Sequence, residues 1–155
     1  MTTKLAPEHN SLWRLFLTTY VRLIERIEQH LKQAGLPPLE WYDVLLALKE
    51  APEHRLRLSE LADAVLLSRS NLTRLVDRLE KAGLLRREAC PTDRRGAFAV
   101  LTTEGLAMQQ KMWAVYGQSI ANYFGRHLSD TDVKVLTEAL SRMLTAASQV
   151  EETAN

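Results

Sequence analysis

Apolar positions recur at helical spacing through most of this chain, with one short strand-like stretch in its middle. From Ser11 to Ala34, Trp13, Phe16, Leu17, Tyr20, Leu23, Ile24, Ile27 and Leu31 follow in steps of one, three and four, the stripe of an amphipathic helix. Gly35 ends it, and Pro37 and Pro38 prevent its continuation. A second helix is predicted over Glu40–Lys49, carrying Trp41, Val44, Leu45 and Leu48, with a polar connection over Ala51–Arg57. Ser59 reads as the N-cap of a short helix with Leu61, Ala62 and Val65 on its apolar side. Ser68 reads as a second N-cap, for a helix to about Ala82 that buries Leu72, Leu75, Val76 and Leu79. Gly83 supplies the left-handed stop.

The period then changes. Arg86–Cys90 and Ala97–Leu101 are strand candidates, joined by Pro91–Gly96, which has turn chemistry at both ends. Helical spacing returns over Thr103–His127, with Met112, Trp113, Tyr116, Ile120, Tyr123 and Phe124. A last helix starts at Ser129-Asp130-Thr131-Asp132, a capping-box-like sequence, and carries Val133, Leu136, Leu140, Leu144 and Ala147. The apolar stripes of the first, fifth and sixth helices are too wide for one small domain, which predicts a homodimer formed by the terminal helices.

Charge changes the picture of the middle. The chain as a whole is +1, yet residues 66–96 hold eight Lys/Arg against four Asp/Glu, a local +4. That is the footprint of a surface for a polyanion. On the helix after Ser68, the face opposite the core offers Ser70, Asn71, Arg74, Arg78 and Lys81. Arginine forks onto guanine O6 and N7, asparagine pairs with adenine, and serine or threonine accepts either. The predicted DNA-contacting set is Arg69, Ser70, Asn71, Thr73, Arg74 and Arg78 on this helix. Arg94 and Arg95, near the hairpin tip, suit a narrow minor groove. A basic helix followed by a basic hairpin is a winged helix-turn-helix. The predicted fold is therefore mainly α with a small β-hairpin wing, the winged unit lying between N- and C-terminal dimerisation helices.

Two stretches carry a family resemblance: LSELADAVLLSRSNLTRLVDRLEKAGLLRRE, residues 58–88, and DRRGAFAVLTTEG, residues 93–105. They resemble the MarR family of transcription regulators. In that family's wing signature Asp, Arg and Arg lead to a hydrophobic strand ending in Leu-Thr-x-x-Gly, matched by Leu101, Thr102 and Gly105; Ala99 departs from the usual bulkier aliphatic. The resemblance implies a homodimer, with dimerisation helices at 1–36 and 106–155 and a DNA-binding domain at 37–105. It implies double-stranded DNA with a pseudo-palindromic operator as partner. It implies repression or activation of nearby genes, often relieved by a small ligand; the expectation for this chain is repression relieved by a small aromatic or phenolic anion. Trp13, Trp41, Asp43, Arg74 and Arg86, with Tyr20, are the effector candidates; Trp13, Asp43, Arg74 and Arg86 resemble the set of a urate-responsive subgroup.

Other chemistries find little in the sequence. No nucleophile elbow, phosphate loop or metal-ligand spacing occurs, so neither enzyme, cofactor nor metal is expected. The single cysteine, Cys90, lies near the hairpin tip with only general basic surroundings in the sequence and reads as incidental. No apolar run is long enough to cross a membrane and no signal peptide is evident, which predicts a cytoplasmic protein. The competing class is a helical protein-interaction module that has the winged fold without binding DNA.

Overall fold

The computed structural model describes residues 2–153; the side chains of residues 93–95 and 150–153 lie outside the description. Its helices are α1 (Pro7–Gln33), α2 (Leu39–Glu50), α3 (Leu58–Ala64), α4 (Leu72–Lys81), α5 (Thr103–Tyr123) and α6 (Asp130–Thr153). Its strands are β1 (Arg55–Arg57), β2 (Leu85–Cys90) and β3 (Asp93–Leu101). The chain divides into two compact units, one running to Ser119 and one from Ile120 onward.

In the first unit, one core holds Ile27 and Leu31 of α1, Val44, Leu45 and Leu48 of α2, Leu61 of α3, Leu75, Val76 and Leu79 of α4, and Met112 of α5. The α1 stripe is therefore buried at its C-terminal end, while Trp13, Phe16, Leu17 and Tyr20 near its start remain exposed. Gly35 and Gly83, at φ 70° and 76°, close α1 and α4 in the same way. Leu36 N–H donates to the Leu31 carbonyl and Leu84 N–H to the Leu79 carbonyl, each satisfying an end the helix leaves open.

The strands form an antiparallel sheet in the order β1-β3-β2. Arg55 and Arg86 flank Val100, Leu56 and Arg87 flank Ala99, and Arg57 and Glu88 flank Phe98. The two-residue period separates the faces. Leu85, Ala99 and Leu101 belong to the core, and the opposite face presents Arg55, Arg57, Arg86, Glu88 and Phe98.

The fold is the expected winged helix-turn-helix, but five local expectations change. The connection at 51–57 contains a strand, β1, reached through Glu53 and His54, both at φ 56°. Ser59 is not a cap: α3 starts at Leu58, straight from β1, with no side-chain cap bond. Ser68 is not a cap either; its hydroxyl is engaged elsewhere, and a 3-10 turn over Arg69–Asn71 precedes α4. The hairpin turn is Pro91-Thr92, with β3 already under way at Asp93 and a register shift opposite Ala89 and Cys90. Lastly, α5 ends at Tyr123, followed by a 3-10 turn over Gly125–His127.

In the second unit the capping box forms as its sequence predicts. Asp132 N–H donates to Ser129 Oγ at 3.1 Å, and Ser129 N–H to Asp132 Oδ2 at 2.9 Å. That bond to the Ser129 backbone, with the Ser129 hydroxyl bond, holds the Asp132 carboxyl below its ordinary pKa. Val133, Leu136, Leu140 and Leu144 all stand exposed along α6.

Candidate nucleic-acid interface

The buried face of α4 is Leu75, Val76 and Leu79. Because the helical period is 3.6 residues, their burial turns Thr73, Arg74 and Arg78 outward, and all three are exposed, as are Arg69, Ser70 and Lys81. Asn71 is half-buried at the helix start. Among the described residues, Arg69, Arg74, Arg78 and Lys81 make no ion pair. A groove of about 630 Å³ runs along the start of α4, lined by Leu58 and Ala62 from α3, by residues 69–74, by Val76, and by Arg87 from the wing.

The acids of α4 are not free. Arg87 on β2 reaches back, its two guanidinium NH2 groups donating to Asp77 Oδ1 at 2.5 Å and Glu80 Oε1 at 2.9 Å. Its backbone N–H donates to Glu80 Oε2 at 2.8 Å. The Asp77 bond, then those to Glu80, raise the Arg87 pKa above its ordinary value. One arginine thus pairs both carboxylates of α4 and fastens the wing to the helix. Sequence reading passed over Arg87, since nothing local distinguishes it from Arg86; only strand register does.

The end of α4 has a second fastening. Thr102 Oγ1 donates to the Gly83 carbonyl at 2.7 Å and accepts the Gly105 N–H at 3.0 Å. Its own N–H donates to the Leu84 carbonyl at 3.2 Å. A Cβ on Gly105 would stand 1.9 Å from the Leu84 carbonyl oxygen, so the Leu-Thr-x-x-Gly pattern is a packing requirement.

The start of α4 is held from α2. Asp43 accepts the Leu66 N–H on both carboxylate oxygens, at 3.1 and 3.0 Å. Its Oδ2 also accepts the Leu67 N–H at 2.7 Å and the Ser68 hydroxyl at 3.0 Å.

The effector candidates are spread out. Trp13 is 56% exposed, with Phe16 beside it at 6.1 Å between ring centroids. Trp41 packs against the core, Asp43 holds the turn, Arg74 lines the groove, and Arg86 pairs with Glu88 at 3.0 Å. No hydrogen bond, ion pair or ring contact among the described residues joins any two of them. An aromatic group the sequence did not single out lies on α2 and α5. Tyr42 stacks near Trp113 at 6.2 Å and meets Tyr116 edge-on at 5.0 Å. Burial pushes both phenols up in pKa. Gln109 Nε2 donates to the Tyr42 hydroxyl at 3.4 Å.

Cys90 is buried, its sulfur 3.4 Å from the Thr92 hydroxyl. The side chains of Arg94 and Arg95 lie outside the described residues. Among the described residues no helix is long and apolar enough to cross a membrane, and no cluster of His, Cys, Asp and Glu could hold a metal ion.

The profile of the MarR family matches residues 34–96. The HTH-type transcriptional regulator MhqR of Bacillus subtilis is 30% identical over 130 residues, covering 84% of this chain and 87% of that protein. Among solved structures, AbsC, a MarR family transcriptional regulator from Streptomyces coelicolor, superposes with a TM-score of 0.84 at 34% identity, over 96% of this chain and 99% of its own. A second MarR family regulator from that organism, solved in complex with DNA, gives 0.85 at 31% identity, over 94% and 91%.

Proposed function

The chain belongs to the MarR family of transcriptional regulators, and from that premise we propose that it is a homodimeric, sequence-specific DNA-binding repressor released by a small aromatic or phenolic anion. The observation that carries DNA binding is the outer face of α4. With the turn before it, it presents Arg69, Arg74, Arg78 and Lys81 exposed and without an ion pair among the described residues, while both acids of α4 are paired with Arg87. The relative solved with DNA supports the same reading.

In this proposal residues 37–105 form the DNA-binding domain, and residues 1–36 and 106–155 the dimerisation regions. The exposed apolar residues of α1 and of α6 support a second copy as their cover. Two α4 helices enter successive major grooves about 10 base pairs apart and read a pseudo-palindrome. Arg69, Ser70, Asn71, Thr73 and Arg74 face base edges, and Arg78 extends the contact along α4. Arg94 and Arg95 enter the flanking minor groove. The protein acts in the cytoplasm and catalyses no reaction.

For the effector, the half-exposed Trp13 and the unpaired Arg74 support the reading best. Trp41, Asp43 and Arg86 have partners within the chain, with which an effector must compete. An effector releases DNA only by its differential affinity for the two states.

The deciding experiment is the salt dependence of duplex binding. A repressor of this kind loses affinity with a log–log slope of about −0.9 per phosphate neutralised. Absence of duplex binding at low salt would remove the proposal. Salicylate, titrated to millimolar concentration, should quench tryptophan fluorescence saturably and weaken operator binding.

A further inference from the structure

We infer that Asp43 is a positioning residue for DNA recognition: from α2, its carboxylate fixes the turn that aims α4. The inference rests on the DNA-binding reading above and adds a residue that works through α4.

The body of α4 is held by Leu75, Val76 and Leu79 in the core, but its start follows from the path of residues 66–71, which beyond the buried Val65 has few fixings of its own. Neither Ser68 nor Asn71 makes a side-chain cap bond. Leu66 is 84% exposed, so its side chain anchors nothing. Three donors on three successive residues, the amides of Leu66 and Leu67 and the hydroxyl of Ser68, converge instead on one carboxylate. Bonds to an ionised acceptor are about twice as strong as neutral ones. Asp43 is itself held firmly, since its neighbours Tyr42 and Val44 are buried in the core. Ser68, at 1% exposure, transmits the restraint directly to the first residues of the reading segment.

Two effects of removing Asp43 have opposite signs, which makes the inference testable. Charge alone predicts tighter binding to every duplex, because a negative group beside the interface disappears. Loss of positioning predicts weaker binding to the preferred sequence only.

The test uses the full chain as wild type, Asp43→Asn, Asp43→Ala, Ser68→Ala and Ile27→Val, the last a core change in α1 that lowers stability away from the turn. The wild type enriches its preferred duplex from a random-sequence pool. Affinities for that duplex and for random duplex are then measured at one salt concentration, beside the thermal midpoint of each variant. Asp43→Asn and Asp43→Ala should lose about tenfold or more on the enriched duplex, the worth of a charge-assisted hydrogen bond. Their affinity for random duplex should hold or rise. Ser68→Ala should lose less in the same direction, and Ile27→Val should leave the ratio unchanged. Equal shifts on both duplexes, or a loss of ratio in Ile27→Val as large as in Asp43→Asn, would overturn the inference while leaving DNA binding in place. A wild type that enriches no duplex would overturn both.

Discussion

The Thr102 hydroxyl donates to the Gly83 carbonyl at 2.7 Å, tying the residue before α5 to the residue that closes α4. The same oxygen accepts the Gly105 amide, so one side chain serves two backbone groups. Thr102→Val, which keeps shape and removes both bonds, should cost about 1–2 kcal/mol. Gly105→Ala should cost more, about 3 kcal/mol, because the new methyl collides with the Leu84 carbonyl and the backbone has to shift. Urea unfolding should show lower midpoints with unchanged slopes; a Gly105→Ala protein as stable as wild type would contradict the packing account.

These residues show where sequence was informative. The stripe through Leu75, Val76 and Leu79, the Gly83 stop and the Ser129–Asp132 capping box were legible because each depends on residues within a turn or two of one another. Arg87, Asp43 and β1 were not. Arg87 differs from Arg86 only through strand register, which sets the face. Asp43 finds its partners 23 to 25 residues away. β1 has only three residues and follows a left-handed pair, Glu53 and His54, that contains no glycine. Non-local pairing made the difference in each case.

Arg87→Met retains an apolar stem but leaves Asp77 and Glu80 uncompensated on α4. All three side chains are partly exposed, at 30%, 52% and 38%, so solvent screening keeps the stability loss near about 1 kcal/mol. The larger effect should fall on DNA. Two uncovered carboxylates beside the exposed cations of α4 should weaken binding to random and preferred duplexes alike, most strongly at low salt. Filter binding at two salt concentrations measures this, and an unaltered low-salt affinity would count against it.

Arg74 and Arg95 should separate by what they lose. Arg74→Ala should weaken binding to the preferred duplex by about 1–3 kcal/mol and relax one or two base positions. Arg95→Ala should weaken binding to most sequences and lower the magnitude of the salt slope by about 1. Selection from a random pool, followed by salt titration, distinguishes them. Identical base preferences and slopes in both variants would reverse the assignments.

Burial raises the Tyr42 and Tyr116 phenols above the ordinary tyrosine value of 10.0. In the unfolded chain both would ionise near that ordinary value, and in the folded chain later. The stability contributed by keeping them neutral is therefore complete below the unfolded value and is lost as pH rises through the folded one. Absorbance at 295 nm should show delayed ionisation, and unfolding free energy should fall with rising alkaline pH. Tyr42→Phe should flatten part of that fall; a wild-type profile in this variant would contradict the assignment.

Along α6, Val133, Leu136, Leu140 and Leu144 are spaced by three, four and four residues, and all are exposed. Four large apolar side chains on one helical stripe are costly to leave in water, at about 25 cal/mol for each Å² of apolar surface. A second copy covering that stripe would recover this energy, and a charge placed at its centre would oppose the contact. Leu140→Glu should therefore shift the protein from twice the chain mass toward the chain mass in light scattering, without loss of helical circular dichroism, because the position contributes nothing to the buried core. The same variant should bind its preferred duplex far more weakly than wild type, since two half-sites would then be occupied independently. A Leu140→Glu protein with wild-type mass and affinity would show that α6 takes no part in holding two copies together.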